Sequence, residues 1–71
     1  MITYKIDVYN KLKEKGYNTT KIRNEKILSE SSLQKIRKGE IIGINALDKV
    51  CRLLEMQPGN IIKYEKDERH E

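Results

Sequence analysis

Turn signals divide this chain into short segments, and this division restricts the fold more than any other feature of the sequence. Glycines stand at Gly16, Gly39 and Gly43, and the pair Pro58 and Gly59 follows the last strongly patterned segment. Helices between such signals must be short, and short helices are not stable alone in water. The chain therefore has to form a cluster of short helices that bury one another's apolar faces.

The first and fourth helices are predicted from the spacing of apolar residues. Residues 7–15 place Val8, Tyr9 and Leu12 on one face, and a glycine follows where a helix usually ends. Residues 44–54 carry the clearest pattern in the chain. Five apolar residues there follow the rhythm of a core-facing helix: Ile44, Leu47, Val50, Cys51 and Leu54. These two helices are expected to form the platform on which shorter segments pack.

Two short, mostly polar helices are predicted between them. The polar residues 18–20 offer N-cap candidates for a helix of two turns, with Ile22 as its apolar anchor. Ser29 caps the next segment, in which Leu33 and Ile36 are the core contacts. Neither helix can bury much apolar surface by itself, but the second can stand outward with its first turns exposed.

The two ends of the chain give weaker signals. Pro58 stands at a first helical position and opens a single turn through Ile61. Residues 62–65 alternate in polarity and could form a short strand, as could residues 2–4 at the other end. These two edges could pair, which would hold the ends of the domain together.

Length and composition allow one small domain. The chain has 71 residues, of which 37% are hydrophobic, and it contains no Phe and no Trp. A core built from so few apolar residues offsets little of the entropy that the backbone loses on folding. A partner subunit would therefore help to stabilise the fold. We expect a domain at residues 1–65 and a charged, solvated tail at residues 66–71 that includes His70.

Several functional classes are excluded by what the sequence lacks. The longest apolar runs have two residues, whereas a membrane span needs about 18, and residues 1–15 lack a signal-peptide stretch. A single Cys51, expected to be a small buried hydrophobe, and a single His70 exclude a disulfide and a Cys/His zinc site within one chain. No nucleophile-base pair or Gly-rich phosphate loop is present. We expect a cytoplasmic protein that is not an enzyme and takes no membrane, metal, cofactor or small-molecule ligand.

Positive charge is concentrated in the first half of the chain. The full sequence has 15 Lys and Arg against 11 Asp and Glu, a net charge of +4. Residues 1–38 contain ten basic and four acidic residues, a net +6, whereas residues 39–71 contain five and seven, a net −2. This asymmetry indicates a side that faces a polyanion, although a merely solubilising surface would have the same composition.

Residues 18–39, which read NTTKIRNEKILSESSLQKIRKG, resemble the helix-turn-helix unit of the Cro/C1-type (XRE) DNA-binding family. The matching positions are Ile22, Leu28, Ser29, Leu33, Ile36 and Gly39. The apolar stripe of residues 44–54 agrees as well, and residues 57–62 resemble the PGDII ending of small regulators of this kind. The resemblance covers about residues 4–65. It implies an all-α, compact five-helix, lambda repressor-like helix-turn-helix domain, to which the short N- and C-terminal strand pair would be an addition.

Two positions depart from the family pattern. Arg23 stands where a small residue is usual, and its stem can pack while its charged head stays in water. Ile27 stands where glycine commonly turns the chain with a positive φ, a conformation that is costly for a β-branched residue. Either the second helix therefore runs longer or the turn is built differently.

The resemblance implies a nucleoid-associated DNA-binding regulator, and we expect a repressor. The helix at about residues 29–38 would enter the major groove of double-stranded DNA. Glu30, Ser31 and Lys35 would face base edges, with Lys35 suited to guanine O6 and N7 and Glu30 to a cytosine amino group. Glu30 in a first helical turn is also favoured by the helix dipole alone.

Other polar residues around that helix would contact phosphates and fix its register. This set, of which Gln34 and Arg37 lie at the edge of the face, is Asn18, Thr19, Ser29, Ser32, Gln34, Arg37 and Lys38. Because one helix reads only a few base pairs, we expect a homodimer on a two-fold-related operator. The predicted dimer interface is Leu54, Ile61, Ile62 and Tyr64.

A second hypothesis keeps the fold but not the DNA. A helix-turn-helix module can also bind another regulator, and the missing turn glycine together with the acidic Glu30 favours this alternative. Its anchor would be an exposed pair of Ile41 and Ile42, or Tyr64 with Ile62.

Overall fold

The computed structural model describes residues 1–66, which form five short helices and a two-stranded sheet. The elements follow in the order β1 (Ile2–Tyr4), α1 (Val8–Glu14), α2 (Thr19–Asn24), α3 (Glu30–Lys38), α4 (Ile44–Leu54), α5 (Pro58–Ile61) and β2 (Ile62–Tyr64). The five-helix architecture and the strand pair predicted from the sequence are both confirmed. The predicted tail beyond residue 66, with His70, lies outside the described residues.

Polar side chains begin the first three helices. Asp7 caps α1 by accepting a hydrogen bond from the backbone N–H of Asn10. Asn18 caps α2, and its Oδ1 lies 2.8 Å from the nitrogen of Lys21. Ser29 caps α3 in the same way. Each cap satisfies a backbone donor that the helix itself leaves without a partner, which is why these helices begin where the sequence predicts.

The strands β1 and β2 run antiparallel and join the two ends of the described chain. Their register pairs Ile2 with Tyr64, Thr3 with Lys63 and Tyr4 with Ile62. The pairing continues beyond the strands, because the backbone N–H of Lys5 donates to the carbonyl of Ile61 at 2.7 Å. The sheet therefore fixes α5 and β2 to the start of the chain.

One apolar core lies between the helices. Every helix contributes to it, and α3 and α4 both pack against α1. The buried residues are Val8, Leu12, Ile22, Leu28, Leu33, Ile36, Ile42, Leu47, Val50, Leu54 and Ile61. Most of these are the residues whose spacing predicted the helices, so the periodic pattern and the core coincide.

The turn between α2 and α3 is built without glycine. The left-handed residue is Lys26, with φ of +53°, and not Ile27. The chain thus turns one residue earlier than the family pattern suggests, and the N–H of Ile27 donates to the carbonyl of Ile22 at 3.0 Å. Ile27 is half-buried and packs against the core. Because α2 ends at Asn24, the turn is built differently and the helix is not lengthened.

Three predictions about apolar residues are wrong. Ile44 was expected in the core, but its side chain is 77% exposed. It is the first residue of α4, and since helical side chains point toward the N-terminus, it extends past the packed end. Ile42 was expected to be exposed beside Ile41, yet it is buried, because the loop before α4 is held down by a 2.7 Å hydrogen bond from the Tyr4 hydroxyl to the Glu40 carbonyl. Cys51 is half-buried and not fully buried.

The helices within residues 1–66 are too short to cross a membrane. The longest of them, α4, has 11 residues, whereas a helical span takes about 20.

Candidate nucleic-acid interface

The helix α3 separates an apolar face from a polar one. Leu33 and Ile36 are buried against the core, which fixes the rotation of the helix. On the opposite side Ser31 and Lys35 are exposed, as is Lys38 in the last turn. Ser31 and Lys35 are four residues apart, so they lie on one face of the helix. The structure therefore brings two of the three predicted base contacts together on an accessible surface.

Glu30, the third predicted base contact, is bound to Arg23. The Arg23 Nε lies 3.1 Å from Oε1 of Glu30, and Nη2 lies 2.8 Å from Oε2. Gln34 adds a third hydrogen bond, with its Nε2 at 3.3 Å from the same Oε2. This two-pronged contact, called the Arg23–Glu30 pair below, ties α2 to the first turn of α3.

The Arg23–Glu30 pair changes the protonation chemistry of both groups. The hydrogen bonds from Arg23 and then Gln34 lower the pKa of the Glu30 carboxyl, and the carboxylate in turn raises the pKa of Arg23. The carboxylate is thus ionised at neutral pH with both of its oxygens engaged. Both side chains remain about half exposed, so water screens the attraction between them.

A second cluster joins α3 to α1 and α2 around Tyr9. The Tyr9 hydroxyl lies 2.7 Å from the Thr19 hydroxyl, and this hydrogen bond lowers the pKa of Tyr9. The Lys13 Nζ lies 5.4 Å and the Arg37 Cζ 5.9 Å from the centroid of the Tyr9 ring. Cations at this distance from an aromatic face are attracted by the electron density of the ring. Arg37 is therefore held beside α1, at the edge of the α3 surface.

Several of the predicted phosphate contacts also have structural roles. The Asn18 and Ser29 side chains accept hydrogen bonds from backbone N–H groups at the starts of α2 and α3. Ser29 Oγ donates a further bond to Ser32 Oγ at 3.0 Å. Ser32 and Gln34 are half-buried, whereas Asn18, Ser29, Arg37 and Lys38 are exposed. The predicted set surrounds α3, but its members differ in how free their donors are.

The contacts that organise this surface join residues too far apart in the sequence to be predicted from local spacing. Arg23 was noted only as a departure from a family pattern, and its partner Glu30 is seven residues away across a turn. Helical spacing rules relate residues three or four apart, so they cannot detect such a pair. Tyr9 is predicted only as part of the apolar face of the first helix, and Lys13 has no predicted role. Opposite charges flanking a turn between two helices would have been the one available signal.

Burial corrects the predicted dimer interface. Leu54 and Ile61 are 3% and 0% exposed, so they belong to the core of the single chain and offer no surface to a second copy. Ile62 is half-buried and Tyr64 is 71% exposed. Only these last two residues of the predicted interface are available for contact.

Over residues 1–66, no group of three His, Cys, Asp or Glu residues is placed to hold a metal ion.

The family model of the Cro/C1-type HTH DNA-binding domain matches residues 8–67, which is most of the chain. The chain belongs to this family. As a Cro/C1-type domain it is a DNA-binding regulator, in agreement with the exposed polar face of α3. A search of the curated proteins finds no match, and neither does a search of the solved structures.

Proposed function

We propose that this Cro/C1-type domain is a sequence-specific repressor that binds double-stranded DNA as a homodimer on a two-fold-related operator. The observation that carries the proposal is the basic, exposed side of α3, whose opposite face is locked into the core. A helix held in this way can enter a major groove about 12 Å wide without rearranging. Repression is the proposed effect because occupying an operator that overlaps a promoter requires DNA binding alone.

Base reading falls to Ser31 and Lys35 in this proposal. Lys35 can donate to guanine O6 and N7, and Ser31 can donate or accept. Glu30 can accept from a cytosine amino group only in competition with Arg23 and Gln34, which hold its two oxygens. Glu30 therefore serves first to hold Arg23 on the DNA side of the domain, where the guanidinium keeps further donors for phosphate or base.

The phosphate contacts surround this face. Helix N-caps position a side chain and a set of backbone amides at the start of α2 and α3, where phosphates are favoured by the helix dipole. Arg37 and Lys38 supply positive charge at the other end of α3. The proposed phosphate set is Asn18, Thr19, Ser29, Ser32, Gln34, Arg37 and Lys38.

The homodimer follows from the size of the reading surface. One copy of α3 reads only a few base pairs, and a two-fold pair of copies doubles both the specificity and the number of phosphate contacts. The alternative module that binds a protein in place of DNA loses one of its two anchors, because Ile42 is buried. Its second anchor, Tyr64, is exposed, but Glu30 is bound to Arg23 within the chain and so gives less support to this alternative.

The proposal is tested by selecting bound sequences from a random duplex pool and titrating the selected duplex in a mobility-shift assay. We expect the affinity to fall steeply as salt rises, since Lys and Arg displace counterions from DNA. The selected sequences should show two-fold symmetry. No retained duplex, or a shift that is insensitive to salt, would contradict the proposal.

Substitutions at two lysines of α3 distinguish contacts to bases from contacts to phosphates. Lys35→Ala should cost about 1–3 kcal/mol on the selected duplex and relax the preference at one position of each half-site. Lys38→Ala, the matched control on the same helix, should weaken binding to all duplexes alike and reduce the salt slope by about one. Equal effects of the two variants on sequence preference would remove Lys35 from the proposed reading surface.

A further inference from the structure

An open groove of about 620 Å³ lies between α4 and the segment that leads into α5. Its apolar lining comes from Ile44, Leu47, Cys51, Met56 and Pro58. Ile44 stands at one end with 77% of its surface exposed. The other large exposed apolar residues within residues 1–66 belong to the first strand, its neighbouring terminus and β2. Because Ile44 itself lines the groove, its exposed side chain and the apolar lining form one apolar surface, the kind of surface at which proteins bind partners.

Charges border the same groove. Asp48, Arg52 and Glu55 line it, and the Arg52 Nη2 lies 3.3 Å from the Asp48 Oδ2 within the helix. Their side chains are 70% and 78% exposed, so either group can take a second partner. The surface formed by Ile44, Leu47, Asp48, Cys51 and Arg52 is called the α4 surface below. It carries an acid, a base, a projecting apolar side chain and a groove.

The α4 surface is complementary to a second copy of itself. In an interface with two-fold symmetry both copies present the same surface, so that surface must contain each projecting group and also the groove or charge that contacts it. If two α4 helices lie antiparallel with Asp48 facing Arg52 of the second copy, the axis passes level with residue 50. In the same register Ile44, at the start of one α4, lies beside the C-terminal end of the other, where the groove continues to Met56 and Pro58. One register thus brings opposite charges together and places each Ile44 at the groove of the partner.

We propose that the α4 surface docks a second copy of this chain, antiparallel across a two-fold axis level with residue 50. The proposal rests on the homodimer of the proposed function and replaces the interface predicted from the sequence. The β2 edge offers an exposed aromatic residue, Tyr64. The α4 surface, in contrast, provides both halves of an apolar contact and a pair of opposite charges at its border.

The first test compares two variants at residues of similar exposure. Ile44→Arg should weaken dimerisation at least about 30-fold in sedimentation equilibrium without DNA, because it puts a charge where an apolar side chain meets the groove of the partner. Tyr64→Arg, at the β2 edge, should leave dimerisation unchanged. Both residues are largely exposed, so the far-UV circular dichroism and the melting temperature should stay close to those of the unmodified chain.

Each alternative outcome is informative. A dimer that survives Ile44→Arg but not Tyr64→Arg, or one that survives both, would overturn the α4 surface while leaving the homodimer intact. An unmodified chain that stays monomeric at the concentrations used for the shift assay would overturn both the surface and the homodimer. The shift assay itself measures DNA binding separately, so a failure of the interface and a failure of DNA binding give different results.

Charge reversal tests the register directly. Asp48→Arg alone and Arg52→Asp alone each place like charges across the axis, and each should weaken its own homodimer about tenfold. A mixture of the two variants should form a heterodimer that regains the affinity, because two basic side chains at positions 48 and 52 of one chain then face two acidic ones of the other. Both variants lose the contact within α4, so recovery in the mixture can come only from contacts between chains. Homodimers that are unaffected, or a mixture that does not recover, would overturn the proposed register.

Discussion

The helices α3 and α4 carry the same kind of apolar spacing, yet they leave different surfaces. In α3 the apolar positions Leu33 and Ile36 are both covered, and the outward face is polar and basic. In α4 the stripe extends one residue beyond the core, so Ile44 remains in water beside an apolar groove. A periodic pattern therefore gives the rotation of a helix but not the length over which its neighbours cover it. The covered helix is suited to DNA, and the uncovered one to a protein surface.

The largest expected effect tests this difference in coverage. Leu33→Ala should destabilise the domain by about 2–5 kcal/mol, because it leaves a cavity where the side chain is fully buried. Ile44→Ala should change stability by less than about 0.5 kcal/mol, as expected for an exposed position. Urea unfolding followed by circular dichroism measures both, at a protein concentration where the chain is monomeric. Similar losses for the two variants would show that the first turn of α4 is packed after all.

An intermediate effect concerns the turn that sets α3 on α2. Lys26 holds a positive φ of 53°, which costs an ordinary residue about 1–2 kcal/mol relative to the usual region. Lys26→Gly should therefore raise the unfolding free energy by up to about 1 kcal/mol, part of the gain being offset by the greater freedom of glycine in the unfolded chain. Ile27→Gly, one residue later at the family's usual glycine position, should instead destabilise, because Ile27 packs against the core. Stabilisation by Ile27→Gly would contradict the position of the turn.

The smallest expected effect is a pH dependence that comes from the Arg23–Glu30 pair. The pair lowers the pKa of Glu30 in the folded state, so its contribution to stability is present above the ordinary glutamate range and lost as pH falls through the folded pKa. Unfolding free energies measured from neutral to acidic pH should therefore fall slightly more for the unmodified chain than for Glu30→Gln. Arg23→Ala should show the same reduced dependence. A dependence that is unchanged in both variants would mean that the pair does not persist in solution.

Much of the fold could be predicted from local signals. The bounds of α4 agree with the prediction residue for residue, α2 and α3 begin at predicted caps, and α1 begins within one residue of its predicted start. Caps and periodicity act within one or two turns, so the sequence reports them directly. The sequence signal for the two end strands is weaker, and their pairing as β1 and β2 is confirmed as well.

The candidate site was predictable only in part. The polar face of α3 follows from its apolar anchors, because burying one side of a helix exposes the other. The Arg23–Glu30 pair and the Tyr9 cluster depend on how α2 and α1 approach α3, and no local rule contains those distances. The predicted dimer interface failed for the same reason, since Leu54 and Ile61 look available until the surrounding helices cover them.

The amino-acid sequence alone determines the helices of this protein, their caps, the basic first half and the membership in a helix-turn-helix family. These properties arise from neighbours along the chain and from the identities of side chains, which the sequence states in full. Packing alone settles which apolar residues are covered, where the chain turns between α2 and α3, and which partner Glu30 has. Those properties arise between residues that are distant in sequence, and the free-energy differences among alternative packings are too small for a spacing pattern to reveal.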